Sequence, residues 1–254
     1  MPTVLLVRHG RTSANANGTL AGWTPGIGLD DAGRAQARAL AARLAPVPLA
    51  AVVTSPLQRC QETVAELVGA RGPKGSSRPD PIIDDRLGEA RYGDWTGRRL
   101  KELVKEPLWR VVQAHPSAVT FPGEHGESML AMQLRAVEAV RDHDAAVARD
   151  HGDEAVWVAV SHGDIIKSLL ADALGMHFDA FQRLVVDPCS VSVVRYTPLR
   201  PFALRVNDVG GDLSVLVPAK RARRRRAAAA TSTAHRTSAD VSSDAVVGGS
   251  TGTA

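Results

Sequence analysis

The stretch that most constrains the fold stands near the start of the chain, where an apolar run at residues 4–7 (VLLV) ends in Arg8-His9-Gly10. A short run of this kind predicts a strand buried on both faces. Beyond its carboxyl end, where open α/β sheets bind ligands, Arg8 offers planar donors for phosphate or carboxylate oxygens. His9 can keep a neutral, nucleophilic nitrogen near pH 7. Taken alone, the pattern also fits a solvated strand end.

Strand and helix patterns alternate along most of the chain, and this alternation predicts the fold class. We expect one α/β domain over residues 1–218, with three layers and a mostly parallel central sheet flanked by helices. Loops or irregular segments are expected at 13–28, 72–81 and 86–97. The predicted strands are 4–7, 49–55, 82–83, 155–161, 191–196, 202–207 and 213–217, and the predicted helices are 32–44, 56–68, 100–114, 129–149 and 165–174.

The composition changes at Ala219 to an Arg-rich run followed by Ala, Ser, Thr and Gly. We expect residues 219–254 to be a disordered basic tail, because so few large apolar side chains cannot offset the entropy of ordering. Seven Lys/Arg against two Asp in this tail leave about one net negative charge on residues 1–218, although the whole chain carries +4. The folded part therefore lacks the field of a nucleic-acid-binding protein. The tail could contact an anionic partner or simply be solvated.

The sequence predicts a cytoplasmic protein with no membrane span. No apolar run reaches membrane-spanning length, and the first residues lack the pattern of a signal peptide. Cys60 and Cys189 have no metal-type spacing and are expected to be reduced thiols. Apolar edge strands make a homodimer possible.

Ionisable side chains follow four predicted strand ends, and the ends of parallel strands meet at one edge of a sheet. Two imidazoles and two guanidiniums gathered there would repel one another unless an anion lay between them, and a phosphate dianion fits. Thr12 and Asn15 could add neutral donors from the first loop. The four groups are Arg8-His9-Gly10, Arg59, Glu89 and His162-Gly163.

Glu89 suits a different task from the cations. A carboxylic acid at the rim of such a site could protonate a leaving alkoxide. An ionised carboxylate would repel the phosphate, so we expect the surroundings of Glu89 to favour its protonated form.

Four segments resemble the motifs of the histidine phosphatase superfamily, the phosphoglycerate-mutase-like proteins. Residues 8–12 (RHGRT) with Asn15 are similar to its first signature, and residues 55–63 (SPLQRCQET) to its second. Residues 87–97 resemble the stretch that carries the acid, and residues 160–163 (VSHG) the last motif. The order is that of the family, and the resemblance covers the chain from residue 3 to residue 217.

The resemblance implies a phosphohistidine mechanism. His9 would attack phosphorus, and Glu89 would protonate the leaving oxygen and then activate water or an alcohol. The resemblance implies no cofactor and no metal, since cationic side chains stabilise the transferring group. Arg8, Arg59 and His162 would hold the phosphoryl oxygens, and further substrate contacts are implied at Thr12, Asn15, Gly22, Tyr92 and Gly163.

The departures from the family pattern leave the activity open. We expect a phosphatase for small phosphorylated metabolites, because the stretch between Glu89 and His162 is short compared with glycolytic mutases and residues 93–97 (GDWTG) resemble the phosphatase branch. A phosphoglycerate-type mutase is the alternative, favoured by Gly22-Trp23, Tyr92 and the basic residues at 98–101. A protein that merely binds a phosphorylated ligand is a second alternative. Arg11 could bring an extra cation, and Ser128 could be a contact or a helix N-cap.

Overall fold

A mixed sheet lies at the centre of the fold. The structure is a computed structural model that describes residues 1–70 and 72–211. Within these residues the sheet has six strands, in the spatial order β3-β2-β4-β1-β5-β6. The first four of that order pair in parallel, and β5 and β6 add an antiparallel edge. The strands are β1 (Thr3–Arg8), β2 (Leu49–Thr54), β3 (Pro81–Ile83), β4 (Val156–Ser161), β5 (Val191–Arg195) and β6 (Phe202–Asp208).

Helices connect the parallel strands and cover both faces of the sheet. Short 3-10 turns lie at 73–75, 85–87, 93–95, 116–118 and 178–183. The α-helices in the described residues are α1 (Ser13–Ala16), α2 (Asp31–Leu44), α3 (Gln58–Gly69), α4 (Leu100–Leu103), α5 (Pro107–Ala114), α6 (Met129–His151) and α7 (Gly163–Ala173).

Two hydrophobic cores lie on opposite faces of the sheet because successive residues of a strand point to opposite sides. In β1, Val4 and Leu6 pack with Trp157 into the core formed with helices α4 to α7. Leu5 and Val7 belong to the core formed with α2 and α3. This arrangement confirms the predicted three-layer α/β fold with a mostly parallel sheet.

The carboxyl ends of three neighbouring strands are level with one another. β4 lies between β1 and β2, with Arg8 beside Ser161 and Thr54 beside Val160. The ladder continues one residue past the strands, because His9 N–H donates to the Ser161 carbonyl at 3.0 Å. The predicted convergence of strand ends at one edge is confirmed.

The helix predicted over residues 100–114 is wrong as a single element. α4 ends at Leu103, and α5 starts at Pro107. Proline has no N–H to donate and disfavours helical backbone in the residue before it, so Glu106 is extended (φ −71°, ψ 138°) and the helix restarts.

Two other local predictions also need correction. The loop expected at 13–28 begins with α1, because Thr12 caps the N–H of Asn15. The sequence predicts a helix that starts at Pro56, yet α3 begins at Gln58 and Leu57 is its extended N-cap. The remaining predicted helices and strands among the described residues agree with the structure to within one or two residues, a normal uncertainty for element ends.

The predicted strand 213–217, the domain limit at 218 and the tail from Ala219 lie outside the described residues. Across residues 1–70 and 72–211, no helix combines the length and apolar character that a membrane span requires.

Candidate active site

His9 lies one residue beyond β1 with its imidazole buried. Its Nδ1 is 2.7 Å from the Gly10 carbonyl oxygen. A carbonyl can only accept a hydrogen bond, so Nδ1 carries the proton and Nε2 keeps its lone pair. Burial, with the nearby Arg59 and Arg8 charges, holds the pKa of His9 well below its ordinary value. His9 is therefore a neutral imidazole with a defined tautomer.

Gly10 allows the His9 turn to pack directly on the start of α2. A Cβ on Gly10 would lie 2.6 Å from the Gly33 carbonyl oxygen, which is closer than real contacts allow. The Gly10 N–H donates to Thr63 Oγ1 at 3.1 Å, and that hydroxyl donates to the Arg59 carbonyl at 2.7 Å. The hydroxyl therefore links the His9 turn to α3.

Arg59 projects from the first turn of α3 to His9. Its Nε donates to His9 Nε2 at 3.3 Å, and its Nη2 donates to the Gly22 carbonyl at 2.9 Å. The guanidinium is buried, with 2% of the residue exposed. Arg59 therefore places a fixed positive charge next to His9 Nε2, the nitrogen that keeps its lone pair.

His162 follows β4 and faces His9 across a ring-centroid distance of 5.2 Å. Its Nε2 is 2.8 Å from Ser55 Oγ, and its Nδ1 is 3.9 Å from Glu89 Oε2. Burial and the Arg59 charge keep the pKa of His162 well below its ordinary value. Ser55, the residue after β2, thus orients the second imidazole.

Arg8 completes the cationic group at the end of β1. Its side chain is fully buried and donates to the Val186 carbonyl at 2.7 Å. Burial lowers the pKa of Arg8, and the carboxylates of Glu89, Asp164 and Asp187 oppose that shift. Carboxylates therefore offset the positive charge of the site.

Glu89 follows β3 through an irregular segment and is 3% exposed. Its Oε1 accepts the Ala90 N–H at 3.0 Å. Burial and the Asp164 carboxylate raise the pKa of Glu89 to about 7, against the opposing effect of Arg59 and Arg8. A carboxyl group with this pKa can hold or release a proton near neutrality, as the sequence led us to expect.

Thr12 and Asn15 bond mainly to each other. Asn15 Oδ1 accepts from the Thr12 N–H at 3.0 Å and from its hydroxyl at 2.9 Å, so the pair caps α1. The side-chain nitrogen Nδ2 of Asn15 is the donor that this pair can offer to a ligand. Arg11 points away from this pair, because its Nε donates to Asp30 Oδ2 at 2.9 Å.

Gly22, Tyr92 and Gly163 take different places around the site. Gly22 has a left-handed φ of 48° and supplies the carbonyl that accepts from Arg59. Tyr92 is fully buried, and its hydroxyl donates to Asp164 Oδ2 at 2.8 Å. Gly163 is the first residue of α7, directly after His162.

Three side chains that contact the Glu89 segment are not among the predicted site residues. Trp23 Nε1 and Arg135 Nη2 both donate to the Glu89 carbonyl, at 2.7 and 3.1 Å. Ser161 Oγ donates to the Leu87 carbonyl at 2.7 Å. Ser161 lies within the motif at 160–163 and Trp23 follows Gly22, so the sequence offers a signal for both, whereas no local pattern marks Arg135 on α6. Ser128 is the N-cap of that helix and accepts the Ala131 N–H.

The described residues thus bring two neutral imidazoles, two buried guanidiniums and one carboxyl group to one edge of an α/β sheet. Such a group can hold an anion and exchange protons with it. Among residues 1–70 and 72–211, no set of three or more His, Cys, Asp or Glu side chains is grouped as a metal site would require.

The chain belongs to the histidine phosphatase superfamily (branch 1), whose family model matches residues 4–209. It is 29% identical to phosphoserine phosphatase 1 of Hydrogenobacter thermophilus over 210 residues, which is 82% of this chain and 92% of that protein. It is 27% identical to 2,3-bisphosphoglycerate-dependent phosphoglycerate mutase 2 of Gloeobacter violaceus, over 74% of this chain and 83% of that one.

A solved structure supports the same conclusion about the fold. The structure of Bacillus stearothermophilus YhfR is similar with a TM-score of 0.70 and 30% identity, covering 83% of this chain and 98% of that one. Family membership supports phosphatase or mutase activity for this chain.

Proposed function

We propose that this protein is a phosphatase that hydrolyses small phosphomonoesters through a phosphohistidine on His9. The observation that carries the proposal is the fixed tautomer of His9. Its Nδ1–H is held by the Gly10 carbonyl, and its Nε2 lone pair lies 3.3 Å from a guanidinium nitrogen of Arg59. A neutral nitrogen beside a cation suits attack on a phosphoryl group whose oxygens that cation binds.

In the first step, the bound phosphoryl group accepts the Arg59 Nε–H in place of His9 Nε2, and the freed Nε2 lone pair forms a bond to phosphorus while the bond to the ester oxygen breaks. Protonated Glu89 gives its proton to the leaving alkoxide, so that an alcohol departs and Glu89 becomes a carboxylate. Because its pKa is about 7, a substantial fraction of Glu89 is protonated at neutral pH.

In the second step, the Glu89 carboxylate takes a proton from water as that water attacks the phosphohistidine. The new P–O bond forms, the P–N bond breaks, and inorganic phosphate leaves. Both His9 and Glu89 return to their starting protonation states, so the cycle balances.

The cations stabilise the phosphoryl group in both steps. Arg8 and Arg59 supply positive charge. The Ser55 hydroxyl accepts the Leu57 N–H at 3.2 Å and can donate to His162 Nε2 at 2.8 Å; in that tautomer His162 donates from Nδ1. Fixed charges of this kind supply most of the catalysis in phosphoryl transfer, and we propose that the reaction uses no metal. Chelators should therefore leave the activity unchanged. Phosphate release after extensive treatment with EDTA tests this point.

A phosphoglycerate-type mutase remains the second candidate, and the similarity to the Gloeobacter violaceus mutase favours it. A mutase would pass the phosphoryl group back to a bound product instead of water. The substrate contact that the resemblance implies at Tyr92 does not separate the two activities, because the Tyr92 hydroxyl donates to Asp164. The short stretch between Glu89 and His162 is what favours the phosphatase.

The deciding experiment measures phosphate release from a panel of phosphomonoesters, including phosphoserine and 3-phosphoglycerate, with and without 2,3-bisphosphoglycerate. We expect release without the bisphosphate and its loss in His9→Ala. The exposed His115 provides a matched control, His115→Ala. Isomerisation that depends on the bisphosphate would establish the mutase. A ligand-binding function that survives in His9→Ala, with no turnover, would establish the binding protein.

A further inference from the structure

We propose that Arg135 is a positioning residue that holds the backbone of Glu89 in place for proton transfer. This inference rests on the proposed function, because it concerns the acid of that reaction. Arg135 lies on α6, far along the chain from Glu89, and belongs to none of the motifs that identify the family.

The segment before Glu89 needs hydrogen-bond partners from elsewhere. It contains a 3-10 turn at 85–87 and then extended backbone at Gly88, so a helix or strand ladder does not satisfy its carbonyls. Buried carbonyls without partners are costly, and the four carbonyls from Arg86 to Glu89 each find a side-chain donor. The Leu87 carbonyl accepts from Ser161 Oγ, and the other three accept from Arg135.

Arg135 uses all five of its N–H donors in this neighbourhood. Nη1 donates to the carbonyls of Arg86 at 2.6 Å and Gly88 at 2.8 Å, and Nη2 donates to that of Glu89 at 3.1 Å. The remaining donors form a bidentate pair with Glu127, Nε to Oε2 at 3.0 Å and Nη2 to Oε1 at 2.6 Å. The planar guanidinium is thus fixed at both edges.

Glu127 continues the support on the far side of Glu89. Its Oε1 also accepts the Arg91 N–H at 2.7 Å. The Glu127–Arg135 pair therefore binds the backbone at 86, 88, 89 and 91. A planar fork of donors is what this contact requires, and lysine, with three donors on a flexible stem, cannot reproduce it.

The test uses the different need of two leaving groups for an acid. Benzyl phosphate releases a basic alkoxide that must be protonated, whereas 4-nitrophenyl phosphate releases a stable anion that needs little protonation. Loss of alignment at Glu89 should therefore lower kcat/KM for the benzyl ester and spare the nitrophenyl ester. A general loss of folded protein would lower both equally.

For Arg135→Gln we expect kcat/KM for benzyl phosphate to fall roughly 10- to 100-fold, the scale of a misplaced catalytic group, and kcat/KM for 4-nitrophenyl phosphate to stay within about threefold. Arg135→Lys, which keeps the positive charge, should show the same selective loss. Glu127→Gln should show it more weakly. If Arg135→Gln does not fold, the Lys and Glu127 variants carry the test.

Arg141→Gln is the matched control, because Arg141 also lies on α6 and has an ion pair and an aromatic contact of its own, with Asp172 and Tyr196. This variant should leave the ratio of the two kcat/KM values unchanged. Equal losses for both substrates, or no loss, in the Arg135 variants would overturn the inference.

The proposed function can be judged separately in the same assay. If wild-type hydrolysis persists in His9→Ala, or if Glu89→Gln shows no preference between the leaving groups, the proposed function is wrong and the inference falls with it. If those two variants behave as proposed and the Arg135 variants do not, the inference alone is wrong.

Discussion

The two sides of the candidate site are supported in different ways. His9 and His162 each follow a strand directly, and the parallel ladder between β1 and β4 extends to His9, whose N–H donates to the Ser161 carbonyl. Glu89 instead lies on an irregular segment whose carbonyls accept from Arg135, Ser161 and Trp23. Backbone pairing thus fixes the main chain that carries the imidazoles, whereas side chains from three distant parts of the chain fix the main chain that carries the acid. Substitutions of the side chains that support Glu89 should therefore impair the acid while leaving His9 and His162 in place.

The largest effect is expected from His9→Ala, which removes the proposed nucleophile. We expect kcat/KM to fall at least about a thousandfold for both 4-nitrophenyl phosphate and benzyl phosphate, because no attacking nitrogen remains. His115→Ala should leave both values unchanged. A loss confined to benzyl phosphate would mean that His9 assists the leaving group and is not the nucleophile.

Glu89→Gln should separate the two leaving groups. The amide cannot donate an acidic proton, so kcat/KM for benzyl phosphate should fall about a hundredfold while that for 4-nitrophenyl phosphate falls far less. Steady-state kinetics on both esters provide the measurement. Equal losses for the two esters would mean that Glu89 serves the site in some other way than as the acid.

The pH dependence should report Glu89. Because the acid form is the proton donor and burial raises its pKa to about 7, kcat/KM for benzyl phosphate should decrease as the pH rises above that value. His9 has a lowered pKa and stays neutral across this range, so its titration does not contribute. The decrease should be absent in Glu89→Gln. A decrease that persists in that variant would assign the titration to another group.

The same shift affects stability. The native state holds a proton on Glu89 up to a higher pH than the unfolded chain does, so the free energy of unfolding should fall as pH rises from the ordinary Glu value towards 7. Glu89→Gln lacks this titrating carboxyl group and its pH-dependent contribution to stability. Its stability relative to the wild type should therefore increase between pH 5 and pH 8. Chemical denaturation of both proteins at pH 5 and pH 8 measures this change. If the relative stability of Glu89→Gln does not increase, the pKa of Glu89 is not raised.

The smallest effect is expected from Trp23→Phe. The substitution removes the indole N–H that donates to the Glu89 carbonyl, keeps an aromatic side chain at residue 23 and leaves the Arg135 contact in place. We expect about a threefold fall in kcat/KM for benzyl phosphate, in keeping with one neutral hydrogen bond. Trp109→Phe, in the core away from Glu89, is the control. A fall in kcat/KM for benzyl phosphate as large as that in Glu89→Gln would mean that Trp23 does more than donate one hydrogen bond to the Glu89 carbonyl.

The same contrast explains what could be predicted from the sequence. The strand ends carrying His9 and His162 follow from short apolar runs that stop at polar residues, and parallel strands bring such ends together. The turn that splits residues 100–114 could have been found from Pro107. The contact of Arg135 with the Glu89 segment could not, because a guanidinium that bonds carbonyls on a distant segment leaves no periodicity or spacing in the sequence. The capping role of Thr12 was likewise hidden, since hydroxyls serve caps and ligands equally well.

The proposed function requires a phosphohistidine on His9, and the Glu89→Gln variant offers a way to trap this intermediate. With 4-nitrophenyl phosphate this variant should still form the intermediate but hydrolyse it slowly, because the amide cannot take a proton from water. We predict a burst of about one equivalent of nitrophenolate per chain. The same chains should carry an acid-labile phosphoryl group that mass spectrometry locates on His9. No burst, or a phosphoryl group on another residue, would rule out a phosphohistidine on His9 as the intermediate.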